Sequence, residues 1–148
     1  MKTKTFFLAV LLCFVFNSGK AQNSKSDFLM FESNYSELPQ YQKSMKDTEN
    51  VFFNTSHEPM FHFVLSLLKN REINNLHLYL DAQPGVLTFG DVRITIVNIA
   101  DYSKFFEEWK QVVKGRVIIH SNIVFSDSNG IELKKKLEEI TGLPFELR

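Results

Sequence analysis

Two periods of hydrophobic and polar residues alternate along this chain. Short, nearly continuous apolar runs occur at Phe28-Leu29-Met30-Phe31, Val51-Phe52-Phe53, residues 76–80 and residues 116–125. In the third run Leu76, Leu78 and Leu80 fall on one face, and in the fourth Val117-Ile118-Ile119 is unbroken, so four strands are predicted, buried on both sides. Between them the spacing turns helical. Leu38, Tyr41 and Met45 share a face over 37–46, with Pro39 tolerated in the first turn. Met60, Phe61, Val64, Leu67 and Leu68 do so over 60–69. Tyr102, Phe105, Phe106, Trp109, Val112 and Val113 mark a long amphipathic helix over 99–113, with Asn98 as its N-cap, Asp101 approximating a capping box and Gly115 as its left-handed stop. A last helix, capped by Asp127 or Ser128, runs to Thr141 with Leu133, Leu137 and Ile140 inward. It stops at Gly142 and Pro144. Its outer face offers Lys134–Glu138 and Lys135–Glu139 pairs.

Pro84-Gly85 forces a turn, and Val86–Phe89 and Val92–Ile94 flank Gly90-Asp91 as a β-hairpin. Strands alternating with helices predict an α/β fold: a three-layer α/β/α sandwich around a mainly parallel four-stranded sheet, with a small hairpin after the third strand.

The first residues depart from this pattern. Lys2 and Lys4 precede an apolar run that holds Phe6, Phe7, Leu8, Leu11, Leu12, Phe14 and Phe16, and Ser18, Gly19 and Ala21 follow. This predicts a secretory signal peptide over 1–21, too short to span a bilayer. A flexible tail over 22–27 and one domain over 28–148 follow. The Gly19-Lys20-Ala21-Gln22 ending resembles export signals of Gram-negative bacteria, and the expected location is periplasmic or extracellular.

Charge and cysteine then narrow the chemistry. The chain carries 17 basic and 17 acidic residues, which gives no basic surface for nucleic acid. Loss of 1–21 removes Lys2, Lys4 and Lys20 and leaves 14 basic against 17 acidic residues. The only cysteine, Cys13, lies in the leader. Leu12 before it does not suit a lipid-acylation signal. The mature chain therefore has no disulfide and no thiol nucleophile. The fifteen Phe residues point to a packed interior.

Motifs with a defined chemistry are scarce. His57 and His62 in His57-Glu58-Pro59-Met60-Phe61-His62 are one residue too far apart for a zincin helix, and Pro59 interrupts it. His77 and His120 fall on strands. No nucleophile elbow, phosphate loop, EF-hand or dinucleotide fingerprint occurs, and no cofactor is implied. Asp81 stands at the end of the third strand, where α/β folds place their chemistry.

The run His77-Leu78-Tyr79-Leu80-Asp81-Ala82-Gln83-Pro84-Gly85 resembles a motif of the family known as domain of unknown function 4347. There the pattern is His, two apolar residues, then Ser-His-Gly-x-Pro-Gly. A second motif, an apolar strand ending in Tyr-Gly-Cys, matches Val117-Ile118-Ile119-His120-Ser121-Asn122, with Gly130 and Ile140-Thr141-Gly142 in step. That family resembles the caspase-type cysteine peptidases, which use a histidine after one central strand and a cysteine after its neighbour. The resemblance thus implies a caspase-like fold in which Asp81 replaces the histidine and Asn122 the cysteine. Ala82 and Ser121 replace the adjacent glycines.

An amide is not a nucleophile, so the expectation is a catalytically inactive, exported binding domain. Asp81, Asn122 and Gln83 would then line the vestigial cleft for an unknown protein or envelope partner. An alternative is a hydrolase of another mechanism, using Asp81 with a metal or an activated water and with His120 and Glu32 as distant partners. A third reading is a structural part of the cell envelope that docks through an apolar patch.

Overall fold

The computed structural model describes residues 26–44 and 50–148. The expected leader, most of the tail, and Met45 and Lys46 of the first helix lie outside these residues. Five strands form one parallel sheet: β1 (Phe28–Phe31), β2 (Val51–Phe53), β3 (Leu76–Tyr79), β7 (Val117–Ile119) and β8 (Phe145–Leu147), in the order β2-β1-β3-β7-β8. The fifth strand corrects the expected count of four. Phe145-Glu146-Leu147 does alternate, but three residues after Pro144 are too few to separate a strand from a tail. Pairing supplies the rest: Val117 faces Phe145 and Ile119 faces Leu147.

Register sorts the sheet into two unlike faces. Met30, Leu78 and Ile119 align across β1, β3 and β7. They belong, with Leu76, Leu80 and Phe145, to one core cluster that also holds Val64, Leu68, Phe106, Trp109, Leu133 and Leu137. The helices carrying those residues are α2 (Val64–Leu68), α3 (Ser103–Glu107), the 3₁₀ helix Glu108–Gln111 that holds Trp109, and α4 (Ser128–Thr141), and they cover this face. The predicted Leu76, Leu78 and Leu80 stripe is therefore core. The opposite face carries Phe31, Tyr79 and Ile118, all buried yet outside that cluster. There α1 (Leu38–Ser44) lays Tyr41 against Phe31 and Tyr79, with ring centroids at 5.0 and 5.3 Å.

A second, antiparallel sheet sits at the carboxyl edge: β4 (Asp81–Gln83), β5 (Val86–Phe89) and β6 (Val92–Ile94). The predicted hairpin is present, with Gly90 at φ +58° in its turn. Its third strand was not predicted, because Asp, Ala and Gln are poor strand formers. Asp81 pairs with Thr88 and Gln83 with Val86, so β4 forms by pairing rather than by propensity.

Two helices are shorter than their patterns. Over 60–69 a 3₁₀ turn, Met60–His62, precedes α2. Over 99–113 the chain runs 3₁₀ (Ile99–Tyr102), α3, then 3₁₀ (Glu108–Gln111). Asn98 holds the expected N-cap position before Ile99, but its side chain makes no capping hydrogen bond. Its Oδ1 accepts from Thr95 N at 2.8 Å and its Nδ2 donates to Arg93 O. At the far end Val113 bridges to Ile73, which draws the chain out of the helix. Gly115 is not left-handed, which corrects its role as a stop. A Cβ there would lie 2.6 Å from Asn74 O, so close backbone approach demands glycine.

The strand expected over 116–125 ends at Ile119, and bends follow. In α4 Asp127 is the N-cap, accepting from Gly130 N at 2.7 Å, and Gly142 closes the helix at φ +67°. Lys134 pairs with Glu138, whereas Glu139 pairs with Lys136. No helix among the described residues is long and apolar enough to cross a membrane.

Candidate functional site

In a parallel sheet all strands deliver their exit loops to one edge. The order reverses between β1 and β3, and the crevice outside such a reversal is where open α/β sheets bind ligands. β1 exits through Glu32, whose N–H donates to Tyr79 O at 2.8 Å. β3 exits through Leu80 into Asp81, and β7 through His120-Ser121 into Asn122. β3 and β7 are direct neighbours, so the sheet brings the segments bearing Asp81 and Asn122 to the same edge.

The two segments are also tied together. Gly85 N donates to Val124 O at 2.9 Å, which joins the turn after β4 to the loop after β7. Gly85 has φ +68°, and a Cβ there would meet Asn129 Cβ at 3.0 Å, so the turn seats on the start of α4. Asp81 and Asn122 are both exposed. Among the described residues neither hydrogen-bonds the other. Gln83 is also exposed, but its Oε1 accepts from Arg93 Nη2 at 3.0 Å, so a strand neighbour already holds it. Ser121 is occupied too: its Oγ accepts from Ile123 N at 3.4 Å.

Glu32 lies elsewhere in function. It is fully buried and acts as an acceptor hub. Oε1 accepts from Ser33 N at 3.0 Å, Ser33 Oγ at 3.3 Å and Asn54 Nδ2 at 2.5 Å, and Oε2 accepts from Met60 N at 2.8 Å. Asn54 in turn receives Ser56 N and Oγ on its Oδ1. The carboxylate thus fastens the exits of β1 and β2 to the turn that opens at Met60. Beside it a polar cleft of about 270 Å³ opens between Asn34, Thr55, His57 and Asp91. His62 packs against Phe61 and Phe105, apart from His57. Among the described residues no three His, Cys, Asp or Glu side chains are grouped to hold a metal ion.

The sheet face opposite the main core holds a cluster that the strand patterns did not announce. His77 Nδ1 lies 2.9 Å from His120 Nε2, and His77 Nε2 lies 3.3 Å from Asp27 Oδ2. Tyr79 stacks on His120 at 3.9 Å and 8°, and Phe31 on Tyr79 at 4.2 Å and 11°. Burial first, then the His77 beside it and then Arg148, push His120 from 6.5 down to about 4. Burial likewise pushes the Tyr79 phenol up; Tyr41 adds to this and Arg148 opposes it. The signal was present in sequence: His77 and Tyr79 are two apart on one strand, and so share a face. Only the register of β3 against β7 shows that His120 joins them.

A family model described as domain of unknown function (DUF4347) matches residues 30–146. No curated protein and no solved structure matches the chain.

Proposed function

The chain belongs to the family of domain of unknown function DUF4347, and from that premise we propose that it is an exported, catalytically silent domain of caspase-like type that works by binding. The observation that carries this reading is the adjacency of β3 and β7, which sets exposed Asp81 and Asn122 on one sheet edge. A caspase-type peptidase keeps its histidine and cysteine after two such neighbours. Tyr41 of α1, packed on the second sheet face, supports the three-layer arrangement.

Here the nucleophile's place holds an amide, and the sole cysteine is Cys13. A carboxylate beside a carboxamide still accepts hydrogen bonds. The ligand chemistry that fits is a donor-rich group, such as an ammonium, a guanidinium or an extended peptide's amides. Gln83, already engaged by Arg93, contributes to the rim rather than to the ligand.

Two measurements on the exported protein test this. In the first, wild type is incubated with a broad peptide and ester panel and with acylating probes. The expected result is no turnover and no covalent adduct by intact mass. Hydrolysis that disappears in Asp81→Ala or Asn122→Ala sinks the silent reading. In the second, amide shifts are followed as arginine- and lysine-containing peptides are added. Shifts confined to the loops after β3 and β7, and lost in Asp81→Asn, are expected. Unchanged spectra for every peptide refute the ligand class. Cell fractionation checks export, and recovery from the cytoplasm alone refutes it.

A further inference from the structure

The Asp27, His77 and His120 chain ties together three parts of the fold: the segment before β1, β3, and the exit of β7. We infer that this chain is an acid-responsive clasp, in which one shared proton holds His77 to His120 and a second proton forces them apart. The inference stands whether or not Asp81 and Asn122 take a ligand.

The argument is one of proton counting. Two imidazole nitrogens 2.9 Å apart need one N–H and one lone pair between them. With both rings neutral, one donates and the other accepts. When the pair gains a proton, His77 can carry N–H groups on both nitrogens. Its Nε2–H then points at the Asp27 carboxylate and its Nδ1–H at the bare Nε2 of His120. Both contacts survive, and the added charge faces a carboxylate.

The next proton has only His120 Nε2 to occupy. That places two N–H groups head to head between two cations, a contact with no bonding arrangement. The surroundings sharpen the step. Arg148, which follows β8, adds positive charge at His120, and burial resists a charge there. Tyr79 covers one face of the His120 ring, and Tyr41 of α1 packs on Tyr79. Glu146 on β8, opposite Ile118, is taken by Arg116. Asp27 also accepts from Asn75 N and Nδ2, so it stays in place while His120 swings. His120 directly precedes Ser121 and Asn122, so opening is felt first in the loop after β7.

The test is nitrogen NMR of the imidazole rings in the full chain between pH 8 and 3.5. A scalar coupling across the His77–His120 hydrogen bond is expected at pH 7. It is expected to vanish as His120 titrates near pH 4, with concerted amide shifts at Ser121 and Asn122. In His77→Gln, His120 is expected to titrate higher, toward its ordinary value, with burial still holding it below that value. Asp27→Asn alters a side chain 45% exposed and keeps an amide oxygen to accept from Asn75, so it removes the charge beside His77 with little change to the sheet. There the His77 ring nitrogen signals are expected to shift, because its Nε2 loses the carboxylate it faces. No coupling at pH 7, coupling that persists below the His120 titration, or an Asp27→Asn protein with unchanged ring signals each overturns the clasp.

Discussion

Replacing Glu32 with glutamine changes one atom in a fully enclosed place. The native carboxylate accepts from Met60 N, Ser33 N, Ser33 Oγ and Asn54 Nδ2 at 2.8, 3.0, 3.3 and 2.5 Å. Every partner is a donor, so an amide nitrogen at either position meets another donor. The less costly orientation turns it toward Met60 N, losing one charge-assisted bond worth about 1.5–3 kcal/mol and leaving a buried N–H without an acceptor. The remaining bonds become neutral and weaker. Relief of the buried charge offsets part of this. The net expectation is a loss of about 2–4 kcal/mol, against a total stability of about 5–15 kcal/mol for such a domain. Urea unfolding at pH 7 measures it: the midpoint falls while the slope is unchanged. A Glu32→Gln protein within about 0.5 kcal/mol of wild type, or more stable, would show that desolvation outweighs the hub's hydrogen bonds and refute the reasoning.

Three further outcomes follow from particular contacts. Gly130→Ala places a Cβ 2.2 Å from Val124 O, and is expected to prevent folding or cost more than about 3 kcal/mol. Gly142→Ala meets nothing within 4 Å and pays only for φ +67°, about 1–2 kcal/mol. Circular dichroism melts of the two proteins separate these costs, and equal losses contradict the packing argument. Asp127→Ala removes the cap on Gly130 N and is expected to lower stability by about 0.5–2 kcal/mol in urea unfolding, with Asp127→Asn recovering most of it. Finally, because the folded protein holds His120 below its unfolded value of 6.5, the associated stability is complete above pH 6.5. It is lost as pH falls through about 4. Screening at this half-buried ring limits the loss to about 1–2 kcal/mol. Unfolding midpoints at pH 7, 5 and 4 test this, and His120→Gln is expected to flatten the profile.

Much of the fold is legible where packing and propensity agree. Val117-Ile118-Ile119 and the Leu76, Leu78, Leu80 stripe are apolar because β7 and β3 lie inside the sheet. Asp127 and Gly142 bracket α4 with side-chain and backbone chemistry that is local in sequence. The errors arose where distant partners decide the outcome. β4 exists because Thr88 and Leu87 are there to pair with Asp81 and Ala82. The stretch over 99–113 is apolar at helical spacing, yet it breaks into tighter turns because Thr95 competes for Asn98 and Ile73 for Val113. Of the candidate site, the placement of Asp81 just past the third strand was readable, whereas Asn122 lies in a bend beyond β7 and not on a strand over 116–125. The commitment of Gln83 to Arg93, and of Glu32 to its four donors, was not readable, because each depends on cross-strand or cross-loop neighbours. The His77–His120 contact needed the register of two strands separated by some forty positions.

One feature of the carboxyl edge has mechanical weight. Only Leu80, buried in the core, separates the last residue of β3 from the first of β4. The antiparallel ribbon is therefore joined directly to the parallel sheet, with no slack in the chain between them. Leu87, Phe89 and Ile94 share the main core and Asn34 Nδ2 donates to Gly90 O at 3.1 Å, so a displacement of the Gly90-Asp91 tip is carried to the parallel sheet through packing as well as through Leu80. Splicing two or three flexible residues after Leu80 would slacken the chain link and leave the shared core of Leu87, Phe89 and Ile94 to hold the two sheets together.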